Sequence, residues 1–158
     1  MEDLSSCELA AATGSIEHLK YLHQEGYDWD WRTCQAAARN GHLNCLIYAH
    51  ENGCKWDKHI CNVAARYGNL DCLTYVHEWD EETCEAAAIG GHLDCLKYLY
   101  EEGCPWDWKT CHQAARYGHL DCLQYAHEQG CDWKENIYDI ALDCDHLDCL
   151  QYIVDETT

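Results

Sequence analysis

A motif that recurs at a nearly constant interval constrains the fold of this chain more than any other feature. Its fullest form is the segment GHLDCLKYLYEEGCPWD at residues 91–107. The six copies open at Gly14, Gly41, Gly68, Gly91, Gly118 and Asp145, with spacings of 27, 27, 23, 27 and 27 residues. Self-similarity at such a period indicates a solenoid of stacked repeats.

Each repeat is predicted to be a pair of short helices. In the second repeat, Asp30 precedes the first helix as an N-cap, and Gly41 ends that helix as a left-handed C-cap. A second helix follows, with apolar residues at spacings of three and four, and it ends at Gly53. The corresponding caps in other repeats are Asp3, Asp57, Asp80 and Asp107. The predicted units cover residues 3–26, 30–53, 57–78, 80–103, 107–130 and 134–156 of a single domain, residues 1–158.

Two places depart from the repeat. Only Trp79 joins the third and fourth units, so that four residues of the usual loop are missing, including the helix-ending glycine. The last unit has Lys134 at the cap position, Tyr138 in place of a cysteine and Asp145 in place of the glycine between helices. A divergent final repeat is expected where a stack ends, because one of its faces meets water.

Composition favours a soluble, intracellular protein of the cytoplasm or nucleus. No apolar run approaches the roughly 18 residues needed to cross a bilayer, and no signal peptide follows Met1. The formal net charge is -19 with only ten lysines and arginines, which argues against nucleic-acid binding and favours a basic partner. Without a secretory signal, the fourteen cysteines are expected to be reduced thiols.

The cysteines recur in three ladders, which are predicted to pack in the core as small hydrophobic residues. The ladders are Cys7, Cys34, Cys61, Cys84 and Cys111 in first helices, Cys45, Cys72, Cys95, Cys122 and Cys149 in second helices, and Cys54, Cys104 and Cys131 in loops. Equivalent residues of stacked helices lie roughly 8–10 Å apart, whereas a disulfide needs Cα atoms within about 7 Å. No ladder can therefore bridge along itself.

Metal binding and catalysis are more specific alternatives to core packing for the cysteines and histidines. A zinc ion needs four ligands within about 2.3 Å of one point, and side chains that recur once per repeat do not supply them. The histidines that open four second helices, His42, His92, His119 and His146, are predicted to form hydrogen bonds at those helix starts. No phosphate-binding loop or nucleophile motif is present. We therefore assign no metal site, no cofactor and no enzymatic activity.

Two segments carry a resemblance to a known family. Residues 37–43, AARNGHL, and residues 114–120, AARYGHL, are similar to the Ala-Ala-Arg-x-Gly-His-Leu core of ankyrin repeats. The resemblance covers essentially the whole chain and implies an all-α, ankyrin-like solenoid of six helix-turn-helix repeats. Asp-x-x-Thr-Cys replaces the family's Thr-Pro-Leu-His opening, and the repeat has 27 residues instead of about 33. Shortened loops should therefore stand in place of the β-hairpin fingers, as in similar Cys- and Trp-rich repeats of large viruses and protists.

The resemblance implies a scaffold that binds a partner protein through the concave face of the first helices and the loops. Eleven residues at the ends of the first helices vary between repeats or are typical of binding hot spots. We refer to them as the first-helix face: Trp31, Arg32, Arg39, Asn40, His59, Arg66, Tyr67, Trp108, Lys109, Arg116 and Tyr117.

Within this face, three arginines at equivalent positions are predicted to form a basic and aromatic stripe. These are Arg39, Arg66 and Arg116, and the competing interpretation is that they only tie repeats together. A monomer with a basic protein partner, no nucleic acid and no membrane is expected. The alternative functions are a Cys/His metal-binding module and a structural subunit that self-associates.

Overall fold

A computed structural model describes residues 6–157, which form twelve α-helices in six pairs and no β-strand. The chain divides into two compact units, residues 1–78 and residues 79–158. The boundary falls at Trp79, where the sequence lacks four residues of the usual loop. A single domain over residues 1–158 stays a prediction.

The first unit is a stack of three helix pairs. Its helices are α1 (Ser6–Ala12), α2 (Ile16–Gln24), α3 (Trp31–Arg39), α4 (Leu43–Glu51), α5 (Ile60–Arg66) and α6 (Leu70–Val76). The first helices of the pairs pack together, α1 on α3 and α3 on α5, and the second helices α2, α4 and α6 form another layer. Leu19, Leu46 and Leu73 are fully buried, so each second helix contributes a leucine to the core.

The second unit repeats this arrangement. Its helices are α7 (Glu81–Gly90), α8 (Leu93–Glu101), α9 (Trp108–Tyr117), α10 (Leu120–Glu128), α11 (Ile137–Asp143) and α12 (Leu147–Thr157). Helices α7, α9 and α11 form one layer, and α8, α10 and α12 form the other. The last pair leaves Leu142 46% and Leu147 68% exposed, which agrees with its divergent sequence.

Aspartate caps begin the first helices as predicted. The Oδ1 atom of Asp30 accepts the backbone N–H of Arg32 at 2.9 Å. This bond satisfies one of the amides that the first helical turn leaves without a partner. Side-chain capping by the other aspartates is seen at Asp57, Asp80 and Asp107, and the predicted cap Asp3 lies outside the described residues.

The residues that end helices adopt the left-handed conformation that the glycines predict. Gly41 has a φ of 75° and Gly103 a φ of 80°. Where the sequence lacks a glycine, His77 with a φ of 52° ends α6, and Asp145 with a φ of 58° separates α11 from α12. For these two non-glycine residues the conformation costs about 1 kcal/mol or more each.

The three cysteine ladders are buried, as predicted. None of their thirteen cysteines is more than 6% exposed, and all fourteen cysteines of the chain are free thiols. Cys144, which belongs to no ladder, is exposed. The ladders are therefore part of the hydrophobic core.

Histidines at the starts of second helices connect neighbouring repeats. The Nε2 atom of His42 lies 3.1 Å from the carbonyl oxygen of Ala12, and that of His119 lies 3.1 Å from the carbonyl oxygen of Ile89. The prediction that these side chains bond at their own helix starts is wrong, because neither forms a cap hydrogen bond. Gly14 makes room for the His42 ring: a Cβ there would lie 2.6 Å from Nδ1.

Candidate functional site

Most of the first-helix face is exposed. Nine of its eleven residues are exposed, while Trp108 and Lys109 are half-buried. The residues Trp31, Tyr67 and Tyr117 are 42%, 43% and 45% exposed. Large amphipathic rings that keep this much area in water are a feature of protein-binding surfaces.

Arg39 and Tyr67 form a cation–π pair between two neighbouring repeats. Arg39 is the last residue of α3, and Tyr67 directly follows α5. The Cζ atom of Arg39 lies 4.7 Å from the centroid of the Tyr67 ring. Stacking fixes the orientation of an exposed guanidinium, so that its planar set of donors is presented in one direction.

A shallow pocket of about 290 Å³ lies beside this pair. It is lined by Glu8, Ala12, Arg32, Gln35, Ala36, Arg39 and Asn40. The Nδ2 atom of Asn40 donates to the carbonyl oxygen of Ala36 at 2.8 Å, which fixes the amide at the pocket wall. The structure thus brings Arg32, Arg39 and Asn40 of the predicted face into one pocket. It also adds Glu8 and Gln35, which the sequence reasoning missed.

A second, larger groove of about 580 Å³ runs between the loops before α3 and before α5. Three tryptophans, Trp29, Trp31 and Trp56, line it together with Asp30, Gly53, Lys55 and Asp57. Only Trp31 was predicted to belong to a binding surface. The Cζ atom of Arg32 lies 5.6 Å from the Trp31 ring centroid, so this groove adjoins the first-helix face.

The loop tryptophans are held by an aromatic cluster that recurs along the chain. The His50 ring stacks on Trp56 with centroids 3.7 Å apart, and its Nδ1 lies 3.1 Å from the Tyr75 hydroxyl. Trp56 meets Tyr75 edge-on at 6.0 Å. Equivalent clusters contain His23, Trp29 and Tyr48, then Tyr100, Trp106 and Tyr125, then His127, Trp133 and Tyr152. These residues recur at constant spacing in the sequence, and that spacing could have predicted the aromatic clusters.

Lys109 is engaged in ion pairs. Its Nζ atom lies 3.1 Å from Oε1 of Glu85 in the preceding repeat and 3.6 Å from Oδ2 of Asp107. The hydrogen bond to Glu85, with the charges of Glu85 and Asp107, raises the pKa of Lys109. This lysine therefore stays charged and connects two repeats.

The Trp108 ring also contacts other side chains, one of them in the following repeat. The Nζ atom of Lys134 lies 3.5 Å from the Trp108 ring centroid, and the His112 ring meets Trp108 edge-on at 4.8 Å. His112 is 6% exposed, and its Nε2 accepts the backbone N–H of Lys134 at 3.2 Å. Burial, and then the charge of Lys134, lower the pKa of His112. Arg116 and Tyr117 remain the exposed members of the face in residues 79–158.

The loop cysteines lie beside first-helix cysteines, an arrangement that the sequence reasoning missed. The Sγ atoms of Cys84 and Cys104 are 3.4 Å apart, and Cys104 Sγ donates to the carbonyl oxygen of Asp80 at 3.3 Å. We refer to three such sets as the thiol pairs: Cys34 with Cys54, Cys84 with Cys104, and Cys111 with Cys131. The spacing within one ladder carries no information about contacts between residues of different ladders.

Two further features bear on the alternatives raised by the sequence. Residues 6–157 contain no group of three or more His, Cys, Asp or Glu side chains placed to hold a metal ion. Over the same residues, no helix has both the length and the apolar character needed to cross a membrane.

Helix pairs that stack as repeats define a helical-repeat fold. A family profile described as ankyrin repeats (3 copies) matches residues 83–158. Among solved structures, the crystal structure of human ASB11 ankyrin repeat domain is similar, with a TM-score of 0.76 and 19% sequence identity. That match covers 96% of this chain and 83% of the other. None of the curated proteins compared with the chain gives a sequence match.

The two comparisons agree on the fold. The profile places residues 83–158 among the ankyrin repeats, and the structural match shows the same fold over nearly the whole chain. Residues 83–158 match ankyrin repeats, and the predicted all-α, ankyrin-like solenoid fold is confirmed.

Proposed function

We propose that this protein is a scaffold that binds a partner protein through the first-helix face. Ankyrin repeats generally mediate contacts between proteins, because each repeat adds a few side chains to one continuous surface. The observation that carries the proposal is the exposed Arg39–Tyr67 pair beside the pocket lined by Arg32 and Asn40. Arginine and tyrosine are enriched among the residues that dominate binding energy.

The charge distribution of the chain favours a partner of particular charge and surface chemistry. The net charge of -19 attracts a basic protein at long range. All four arginines of the chain, Arg32, Arg39, Arg66 and Arg116, belong to the first-helix face. At close range their planar donors suit carboxylates, carbonyl oxygens and aromatic faces. We therefore propose a partner that is basic overall and presents acceptors or rings at the contact.

We further propose that the protein is intracellular and monomeric and has no catalytic activity. Fourteen free thiols, thirteen of them buried, suit a reducing compartment. Mass measurement in solution distinguishes a monomer from the self-associating alternative. Metal analysis of the purified protein tests the Cys/His alternative, and we expect no stoichiometric zinc.

The experiment compares charge reversals on the two layers of helices. The partner is first isolated from the native cell by affinity purification and then titrated against purified variants. Arg66→Glu combined with Arg116→Glu should weaken binding by roughly 2 kcal/mol or more, which is about 30-fold. Both residues are exposed at the ends of first helices.

The control reverses charges on second helices. Lys20 lies on α2 beside Glu17, and Lys97 lies on α8 near the Tyr125 ring. Lys20→Glu and Lys97→Glu should change binding little if the first-helix face is the site. Equal losses from both sets, or no loss from the arginines, would contradict the proposal and leave the arginines as ties between repeats.

A further inference from the structure

A contact between two thiols joins the fourth residue of a first helix to the loop that leaves the second helix. Cys84 is the fourth residue of α7, and Cys104 follows the helix-ending Gly103. Their Sγ atoms are 3.4 Å apart, and both are free thiols. A disulfide would require the two sulfurs to approach by about 1.4 Å, to a bond of roughly 2.05 Å. Rotation of two side chains on separate segments supplies movements of that size.

In two other repeats the first-helix thiol contacts the backbone carbonyl of the loop cysteine. Cys34 Sγ is 3.8 Å from the carbonyl oxygen of Cys54, and Cys111 Sγ is 3.4 Å from that of Cys131. Both loop thiols also donate to the carbonyl oxygen of the aspartate cap of their own repeat, at 3.0 Å for Cys54 and 3.1 Å for Cys131. In all three repeats the first-helix thiol therefore contacts the loop cysteine, at its sulfur in one repeat and at its carbonyl oxygen in the other two.

We propose that the three thiol pairs are reversible oxidation sites, at which a peroxide converts each pair into a disulfide within its repeat. The thiolate of the loop cysteine attacks one oxygen of hydrogen peroxide, which forms a sulfenic acid and releases hydroxide. The hydroxide takes up the proton that the loop thiol lost. The first-helix sulfur then attacks the sulfenic sulfur, loses its proton and releases water. Each pair gives two electrons to one peroxide, and a dithiol reductant returns the pair to two thiols.

The environment assigns the attacking role to the loop cysteine. The hydrogen bond from Cys84 lowers the pKa of Cys104 and outweighs the opposing effect of burial, and the same bond raises the pKa of Cys84. Thiolates are the nucleophilic form of cysteine. Cys104 is also 6% exposed, against 2% for Cys54 and 3% for Cys131. The Cys84–Cys104 pair should therefore be oxidised first.

The sequence makes these pairs easy to identify by peptide mapping. Trypsin leaves one cysteine each on residues 98–109, 33–39 and 110–116, which carry Cys104, Cys34 and Cys111 respectively. The full chain, freshly reduced, is treated with hydrogen peroxide under native conditions. The remaining thiols are alkylated in urea, and the tryptic peptides are analysed by mass spectrometry without reduction.

Three links are expected. Residues 98–109 should be joined to residues 67–97, residues 33–39 to residues 40–55, and residues 110–116 to residues 117–134. The first link should form fastest, and dithiothreitol should remove all three. Cys7 serves as an internal control, because Tyr27 stands where a loop cysteine would be, and residues 1–20 should remain alkylated.

Matched variants assign the link on residues 98–109. Cys84→Val and Cys104→Ala should each abolish it, whereas Cys95→Ser, which removes another cysteine of residues 67–97, should leave it intact. Circular dichroism checks that each variant is folded. The proposal is overturned if the link persists in Cys84→Val. It is equally overturned if native protein shows the mixed pairings of protein oxidised in urea, or if all thiols survive a peroxide dose that oxidises the urea-treated chain.

Discussion

The guanidinium of Arg39 lies 4.7 Å from the ring centroid of Tyr67, one repeat further along the chain. In the second unit the corresponding positions are Ile89 and Tyr117, so Tyr117 has an isoleucine where Tyr67 has the arginine of the preceding repeat. This difference allows the stabilising role of the pair to be measured apart from any role in binding.

A double-mutant cycle with Arg39→Gln and Tyr67→Leu should give a coupling energy of about 0.5–1 kcal/mol, typical of exposed cation–π pairs. Urea denaturation of the four proteins provides the measurement. The control cycle uses Ile89→Gln and Tyr117→Leu, for which we expect a smaller coupling. Equal coupling in the two cycles would show that the guanidinium contributes nothing specific.

Alanine substitutions at two glycines can distinguish the cost of backbone strain from the cost of disrupting close packing. Gly91 and Gly103 have φ angles of 72° and 80°, so alanine is strained at both. A Cβ on Gly91 would lie 2.4 Å from Nδ1 of His119, whereas a Cβ on Gly103 meets nothing within 4 Å. Gly103→Ala should therefore cost about 1 kcal/mol. Gly91→Ala should cost about 2–3 kcal/mol, because His119 must also lose its bond to Ile89. Similar losses of unfolding free energy for both variants would contradict a packing role for Gly91.

Local signals in the sequence predicted the fold because each depends on neighbouring residues. The cap at Asp30 and the left-handed Gly41 follow from helix-end chemistry alone, and the buried ladders follow from the repeat period. Contacts between segments were harder to predict. Cys84 and Cys104 meet only because the two helices close into a hairpin, and nothing in the spacing of either ladder contains that geometry.

For the candidate site, the sequence predicted which residues are exposed but not which residues of neighbouring repeats they contact. Exposure of Arg39 and Tyr67 followed from their place at the ends of first helices. The engagement of Trp108 depends on Lys134 in the next repeat, where the sequence pattern breaks down. The position of His42 against the preceding repeat depends on the space that Gly14 leaves, which appears only when the repeats are stacked.

Restoring the shortened loop should relieve the strain at His77. Insertion of Asn-Gly-Cys-Lys before Trp79 returns a glycine to the end of the preceding helix, where His77 now has a φ of 52°. We expect unchanged stability or a gain of up to about 1 kcal/mol in unfolding free energy. Insertion of Asn-Ala-Cys-Lys is the matched control and should lack the gain. A large fall in Tm with both insertions would show that the short junction is a required feature of the structure.

Thiol labelling tests the burial of the ladders. Cys144 is exposed and all other cysteines are buried, so a water-soluble disulfide reagent should label one thiol quickly in the reduced native protein. The remaining thiols should react only slowly until urea is added. Cys144→Ser should remove the fast phase. Several fast thiols, or a fast phase that survives in this variant, would mean that the ladders are open to solvent.

His112 should make folding sensitive to mild acid. Its pKa is lowered from a value of 6.5, chiefly by burial, so the unfolded chain binds the proton more readily than the folded chain. Stability contributed by the neutral ring is therefore present above pH 6.5 and is lost as the pH falls below it. Protonation would also place an N–H against the backbone N–H of Lys134, which Nε2 now accepts at 3.2 Å.

The matched variant for this effect is His112→Gln, because Gln35 occupies the corresponding position in the second repeat and an amide oxygen can accept the same bond. Ten other histidines titrate in both proteins, so the difference between the two stability curves isolates His112. From about pH 7.5 to about pH 5, the Tm of the unmodified protein should fall further than that of the variant. Parallel curves would mean that the folded protein accepts a protonated His112, and that the Lys134 bond does not depend on the neutral ring.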